Sequence, residues 1–137
     1  VHSVSVAGAV VRSDGRVLAI RRADNGHWEP PGGVLELGED IEAGVRREVL
    51  EETGLHVRVG ELTGLYKNMK RGVVALVFRC SVVSGTPRPS EEAVDVRWLT
   101  PDEVQARMAP AYACRILDAL ASGPVAVRAH DGHEPLE

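Results

Sequence analysis

Apolar and polar positions change period several times along the chain, and each change marks an element. Val4 to Arg12 is rich in Val and Ala and reads as a buried strand. Ser13-Asp14-Gly15 is a turn triplet. Arg16 to Arg22 then reads as a second strand, paired with the first in a hairpin. Ala23 to Gly33 holds two prolines and several glycines, which shape a loop. From Asp40 the period becomes helical. Ile41, Val45 and Val49 recur every four residues, Asp40 suits an N-cap, and Gly54 supplies the stop after about Thr53. Leu55 to Tyr66 alternates in part and reads as a strand, with a basic turn from Lys67 to Gly72. Val73 to Val83 is a long apolar run, expected at the centre of a sheet. After a Gly/Pro loop, Val94 to Leu99 alternates as a strand. Thr100-Pro101-Asp102-Glu103 opens a short helix that runs to about Arg107. A further helix runs from about Pro110 to Ala121, with Ala113, Ile116, Leu117 and Leu120 as its buried face. Val125 to Arg128 reads as a short edge strand, and the polar tail from about residue 129 as loose.

Composition narrows the class. A chain of 137 residues suits one domain, residues 1–137, around a single core. Aromatics are only 4%, so aliphatic residues must fill that core. A net charge of −4 argues against an extended nucleic-acid footprint. Cys80 and Cys114 form no CxxC pair, so a zinc site or disulfide framework is not expected. Two free thiols suit a reducing, cytoplasmic compartment. The chain begins at Val1, with no signal peptide in view and no apolar run long enough to span a membrane.

Candidate chemistry concentrates between Gly33 and Leu55. On a helical wheel Glu48, Glu51 and Glu52 fall within roughly a third of the circumference, beside the apolar stripe. Three carboxylates so placed repel one another unless a cation sits among them. Mg²⁺ takes oxygen ligands of this kind together with substrate phosphates. Arg47 can offset part of the repulsion by pairing with Glu51. Gly44, one turn before Glu48, leaves room for metal or substrate, or else packs the helix closely on the sheet. Gly32 and Gly33 allow the backbone close to a ligand. Arg21 and Arg22, with Arg12, suit phosphate contacts, or else a solvated strand end. Trp28 and Tyr66 are candidates to stack on a base, with Trp28 first a hydrophobic anchor. Lys67, Lys70 and Arg71 form a second basic cluster, read first as a solvated turn.

The spacing is more specific than an acidic patch. Gly33, Glu39, Arg47-Glu48, Val49, Glu51-Glu52, Gly54 and Leu55 match every fixed position of the signature box of the Nudix hydrolase family, which this stretch therefore resembles. Such a register arises by chance well under ~10⁻⁶ of the time at ordinary residue usage. The resemblance covers nearly the whole chain. It implies an α/β (α+β) sandwich with a mixed central sheet between helices. It implies an enzyme that hydrolyses a nucleoside diphosphate linked to another moiety, using Mg²⁺ or Mn²⁺. Carried over by position, Glu48, Glu51 and Glu52 would be metal ligands helped by the Gly32 carbonyl. Arg47 would orient the glutamates, and Glu39 would add negative charge at the far end of the site. The general base would be a box glutamate or an acid before a late strand, where Glu92 is preferred to Glu91. The expected partner is a small nucleotide, and the edge strands are free to pair two copies as a homodimer. The alternative is a nucleotide-binding sensor that has lost catalysis. The intact glutamates favour the enzyme.

Overall fold

The structure is a computed structural model that describes residues 1–136. In chain order its elements are β1 (Ser3–Val10), β2 (Val17–Arg22), β3 (Trp28–Glu29), β4 (Gly32–Val34), α1 (Ile41–Thr53), β5 (His56–Asn68), β6 (Val73–Ser84), β7 (Ala93–Leu99), α2 (Pro101–Arg107), α3 (Pro110–Leu120), β8 (Ala126–His130) and β9 (Pro135–Leu136). A 6-stranded mixed sheet has the order β4-β1-β6-β5-β8-β9, and a 3-stranded sheet the order β3-β2-β7. β1 runs parallel to β6 and antiparallel to β4, and β5 runs parallel to β8. The long apolar run of β6 does lie centrally, between β1 and β5. This is the mixed-sheet α+β sandwich that the sequence led us to expect.

Alternation along β1 divides the core in two. Val6 and Val10 pack with Val45 and Val49 of α1, Leu18, Leu55, Val57 and Cys80. Ala7 and Ala9 face the other way, against Val77, Leu99, Val104, Ala113 and Ile116. Each fully buried Val contributes roughly 1.5–3 kcal/mol, so Val45 and Val49, both at 0% exposure, anchor α1 firmly. Ile41, expected in the same stripe, is the first residue of α1 and is exposed. Asp40 caps α1 by accepting from the Ala43 N–H, and Gly54 ends it at φ 79. A β-carbon is strained at that angle. α2 opens with the anticipated capping box of Thr100 and Glu103.

Three expectations change. β2 does not form a hairpin with β1: the turn forms, and Asp14 is gripped by Arg12 and Arg16, but only one bridge, Val11 to Val17, joins the two strands. Both edges of β1 are already taken by β4 and β6, so β2 turns away and pairs with β7 and β3. The tail is not loose: β8 extends to a buried His130 and β9 folds back on it. Their pairing uses backbone groups, which leave no apolar period in the sequence. On α3, Ala111, Arg115 and Ala119 are buried beside Ala113 and Ile116, while Leu117 and Leu120 are only half-buried.

Candidate active site

α1 delivers two carboxylates inward. Glu48 and Glu52 lie one turn apart on the edge that meets β4, and are 7% and 3% exposed. The Gly32 N–H donates to Glu52 Oε1 at 2.7 Å. A β-carbon on Gly33 would lie 2.7 Å from the Glu48 carboxylate, so the absence of a side chain there is what admits Glu48. Glu92, from the loop before β7, brings a third carboxylate. Oxygens of Glu48, Glu52 and Glu92 all lie within 4.8 Å of one another. Glu51 stands outside this set. Its side chain is 57% exposed and receives a 3.4 Å contact from Arg47 Nη1.

Arg47 joins the acids to the preceding loop. Its Nε and Nη2 donate to the two oxygens of Glu39 at 2.9 and 2.6 Å, and its Nη1 donates to Glu48 Oε1 at 2.8 Å. Nη2 also donates to the Val34 carbonyl at 3.2 Å. The bidentate pair holds the Glu39 carboxyl down near 2. Glu39 thus fixes Arg47, and Arg47 fixes Glu48. Gly44 serves this same loop. A β-carbon there would lie 2.5 Å from Leu35 Cδ1 and 3.1 Å from Glu39 Oε1, so the glycine admits the loop rather than a metal or the sheet.

The buried acids carry unequal burdens. Burial pushes Glu52 up to about 8, with Glu48 and Glu92 adding to the rise and the Gly32 N–H opposing it. Burial raises Glu48 as well, and Arg47 offsets part of that. Two buried carboxylates beside a third, with one guanidinium at the edge, form a donor set of oxygens short of positive charge. That set fits a hard divalent cation.

The loop that carries Glu92 is fastened at several points. The Arg88 N–H donates to the Thr53 carbonyl at 2.8 Å, and Ser90 Oγ reaches the Glu52 carbonyl at 3.4 Å. The Ala23 N–H donates to the Glu92 carbonyl at 2.9 Å. The loop so held sets Glu92 among the carboxylates.

A cleft of about 490 Å³ adjoins the acids, with Gly32 and Gly33 in its wall. Arg22 lines it and is gripped by Asp24 at 2.9 and 2.7 Å. Lys70 and Arg71 line it too, from an exposed turn. The other expected substrate residues do not line it. Arg21 is exposed and donates to the Gly26 carbonyl at 3.2 Å. Arg12 pairs with Asp14 and lies over the Trp98 ring. Trp28 packs on the core with Arg107 over its ring at 5.7 Å, which fits the anchor reading. Tyr66 cannot stack a base. It is 1% exposed, its hydroxyl donates to Asp118 at 2.7 Å, and Arg115 covers its ring. Glu29, Asn68, Tyr112, Arg115 and His130 do line the cleft, and reading the sequence missed them. The one available signal was Arg115, a charge set between Ala113 and Ile116 on the apolar face of α3.

A family model described as NUDIX domain matches residues 1–119. A MutT-like protein of Streptomyces ambofaciens is 66% identical over 131 residues, which cover 96% of this chain and 85% of that protein. An ADP-ribose pyrophosphatase of Methanocaldococcus jannaschii is 32% identical over 104 residues, 71% of this chain and 62% of that protein. A solved NUDIX hydrolase from Nitrosomonas europaea shares the fold, with a TM-score of 0.80 over 94% of this chain and 80% of that one, at 21% identity.

Proposed function

The chain belongs to the NUDIX domain family of phosphoanhydride hydrolases, and from that premise we propose that it is a Mg²⁺- or Mn²⁺-dependent pyrophosphohydrolase of nucleoside diphosphates linked to another moiety. Nucleoside triphosphates and ADP-ribose are the substrate types in view, given the hydrolase names among its relatives. The observation that carries the reading is the convergence of Glu48, Glu52 and Glu92 within 4.8 Å, beside an open cleft.

Glu48 and Glu52 would hold the cation, with Glu51 and the Gly32 carbonyl as further oxygen donors. A bound divalent cation there supplies charge neutralisation at the phosphate oxygens and makes water a stronger nucleophile. The chain's own groups do the rest. Arg47 holds Glu48 in place, and the Gly32 N–H holds Glu52. Arg22, on the cleft wall, meets a phosphate of the substrate. Water forms the new bond to phosphorus, and the bridging P–O bond breaks with its electron pair on the departing phosphate. Glu92 is exposed beside the two buried acids and accepts the water proton.

The test is turnover across a panel of nucleoside triphosphates, ADP-ribose, NADH and dinucleoside polyphosphates, with and without Mg²⁺ or Mn²⁺. Metal-dependent release of nucleoside monophosphate from a panel member is the expected result. Tight nucleotide binding with no turnover on any of them would replace this reading with the nucleotide-binding sensor.

A further inference from the structure

At the end of the cleft away from the acids lies a guanidinium with no carboxylate partner. Arg115 is 9% exposed and makes no ion pair among the described residues. Its guanidinium carbon lies 5.2 Å from the Tyr66 ring centre and 4.7 Å from that of Tyr112. Both tyrosine rings thus hold the guanidinium by cation–π contact. Its Nε is buried without any hydrogen-bond partner.

The neighbours deepen the mismatch. Arg115 Nη2 lies 3.3 Å from His130 Nε2. His130 Nδ1 receives the Gly132 N–H at 3.0 Å. The Gly132 N–H and the Arg115 guanidinium are both donors, and a neutral imidazole accepts at only one of its nitrogens, so His130 leaves one of the two without an acceptor. Asn68 points the same way. Its Oδ1 accepts from the Lys70 and Arg71 N–H groups at 3.0 and 3.2 Å, which leaves its Nδ2 as a further donor on the cleft wall. Around Arg115 this end of the cleft presents donors that find no acceptor in one another, although Glu29 and Asp131 also line the cleft. Leaving buried donors unmade is costly, and a site left so is furnished for a ligand that completes it.

We propose that Arg115, with His130 and Asn68, is a specificity-determining group that reads the oxo edge of a nucleobase, a ring carbonyl such as that of hypoxanthine, guanine or uracil. The inference rests on the pyrophosphohydrolase reading for the direction of the substrate: with the diphosphate at the acids, the far end receives the base. A neutral carbonyl fits better than a phosphate. Glu29 on the same cleft already opposes the Arg115 charge, so the guanidinium lacks acceptors more than it lacks negative charge. The planar guanidinium also suits the edge of a flat heterocycle.

The experiment measures binding of 5′-monophosphates by calorimetry, in pairs that differ along one base edge: IMP against AMP, and UMP against CMP. Ribose 5-phosphate is the probe without a base. These probes need neither turnover nor metal, so a failed turnover panel does not remove the test. The wild-type protein is expected to bind the oxo member of each pair roughly tenfold or more tightly. Arg115→Met is expected to bring the ratio to near one, leave ribose 5-phosphate binding unchanged, and leave Tm level or higher, since it removes a buried charge without an ionic partner. Arg115→Lys keeps the charge, loses the planar edge, and is expected to lose most of the ratio too. Equal binding of both members by wild type, or no binding of any monophosphate, would overturn the proposal. So would a ratio that survives in Arg115→Met, or a parallel loss of ribose 5-phosphate, which would make the group a phosphate contact. If Arg115→Met does not fold, the wild-type ratios and Arg115→Lys decide.

Discussion

α1 and α3 each bury charge against the same cleft, and they do so in opposite ways. On α1 the buried groups are two carboxyls, each braced: Glu48 by Arg47, Glu52 by the Gly32 N–H. On α3 the buried charge is a single guanidinium, held by two aromatic rings and left short of acceptors. The first arrangement needs an added cation, the second an added acceptor. On the functions proposed above, the contrast separates two tasks of one site: bond breaking on a pre-braced helix, and selection on a pocket that the ligand itself completes.

The largest way to break this comparison is at Glu52. Glu52→Gln keeps the shape, removes the charge, and should lower turnover by about 10²- to 10⁴-fold with Tm unimpaired, as read by steady-state rates and thermal melts. Next comes the brace. Arg47→Gln frees Glu48 and Glu39 together and should cost roughly 10- to 100-fold in activity, while Glu91→Gln, outside the cluster, should cost nothing measurable in the same assay.

The pH response sharpens the comparison further. Folded Glu52 keeps its proton to about 8, and the ordinary value is 4.5. The native state therefore binds the extra proton between these values, and its stability falls as pH rises through that window. The loss should be on the order of 3 kcal/mol in metal-free protein, read by urea unfolding at pH 5, 6.5 and 8. Saturating Mg²⁺ should suppress the slope, and Glu52→Gln should flatten it, whereas Glu51→Gln, half out in solvent, should leave it in place. The smallest effect is expected at Gly44. Gly44→Ala gains about 1 kcal/mol of helix propensity and meets the end of the Leu35 side chain. Its Tm should move by only a few degrees, while Gly33→Ala, pressed on the Glu48 carboxylate, should lose activity clearly.

The difference between the helices also explains what could be read in advance. The acids of α1 are spaced along one continuous segment, so their register names the chemistry before any contact is known. Glu92 was reachable because it closes a loop just before a clearly alternating strand. The donor-rich end was not legible. Asn68, Tyr112, Arg115 and His130 come from β5, α3 and β8, and only the parallel pairing of β5 with β8 brings Asn68 opposite His130. Strand partners were hidden for a similar reason. The turn at Ser13 to Gly15 forms as its residues dictate, but which edge β2 takes is decided by competition for β1, and local pattern carries no record of that contest. Tyr66 and Trp28 were aromatic candidates by type, and their depth in the core, a property of the whole fold, assigns them to packing.

The fastening of the Glu92 loop bears on how such an enzyme can diversify. Surface loops normally accept insertions and deletions cheaply. Here the segment from Gly85 to Glu92 is tied to Thr53 and Glu52 at the end of α1 and to Ala23 after β2. A change of length would move the acid out of step with Glu48 and Glu52. New substrates are therefore expected to arise by change on the cleft wall formed by β8 and α3, while the length of the Glu92 loop stays fixed as a measuring rod for the reaction.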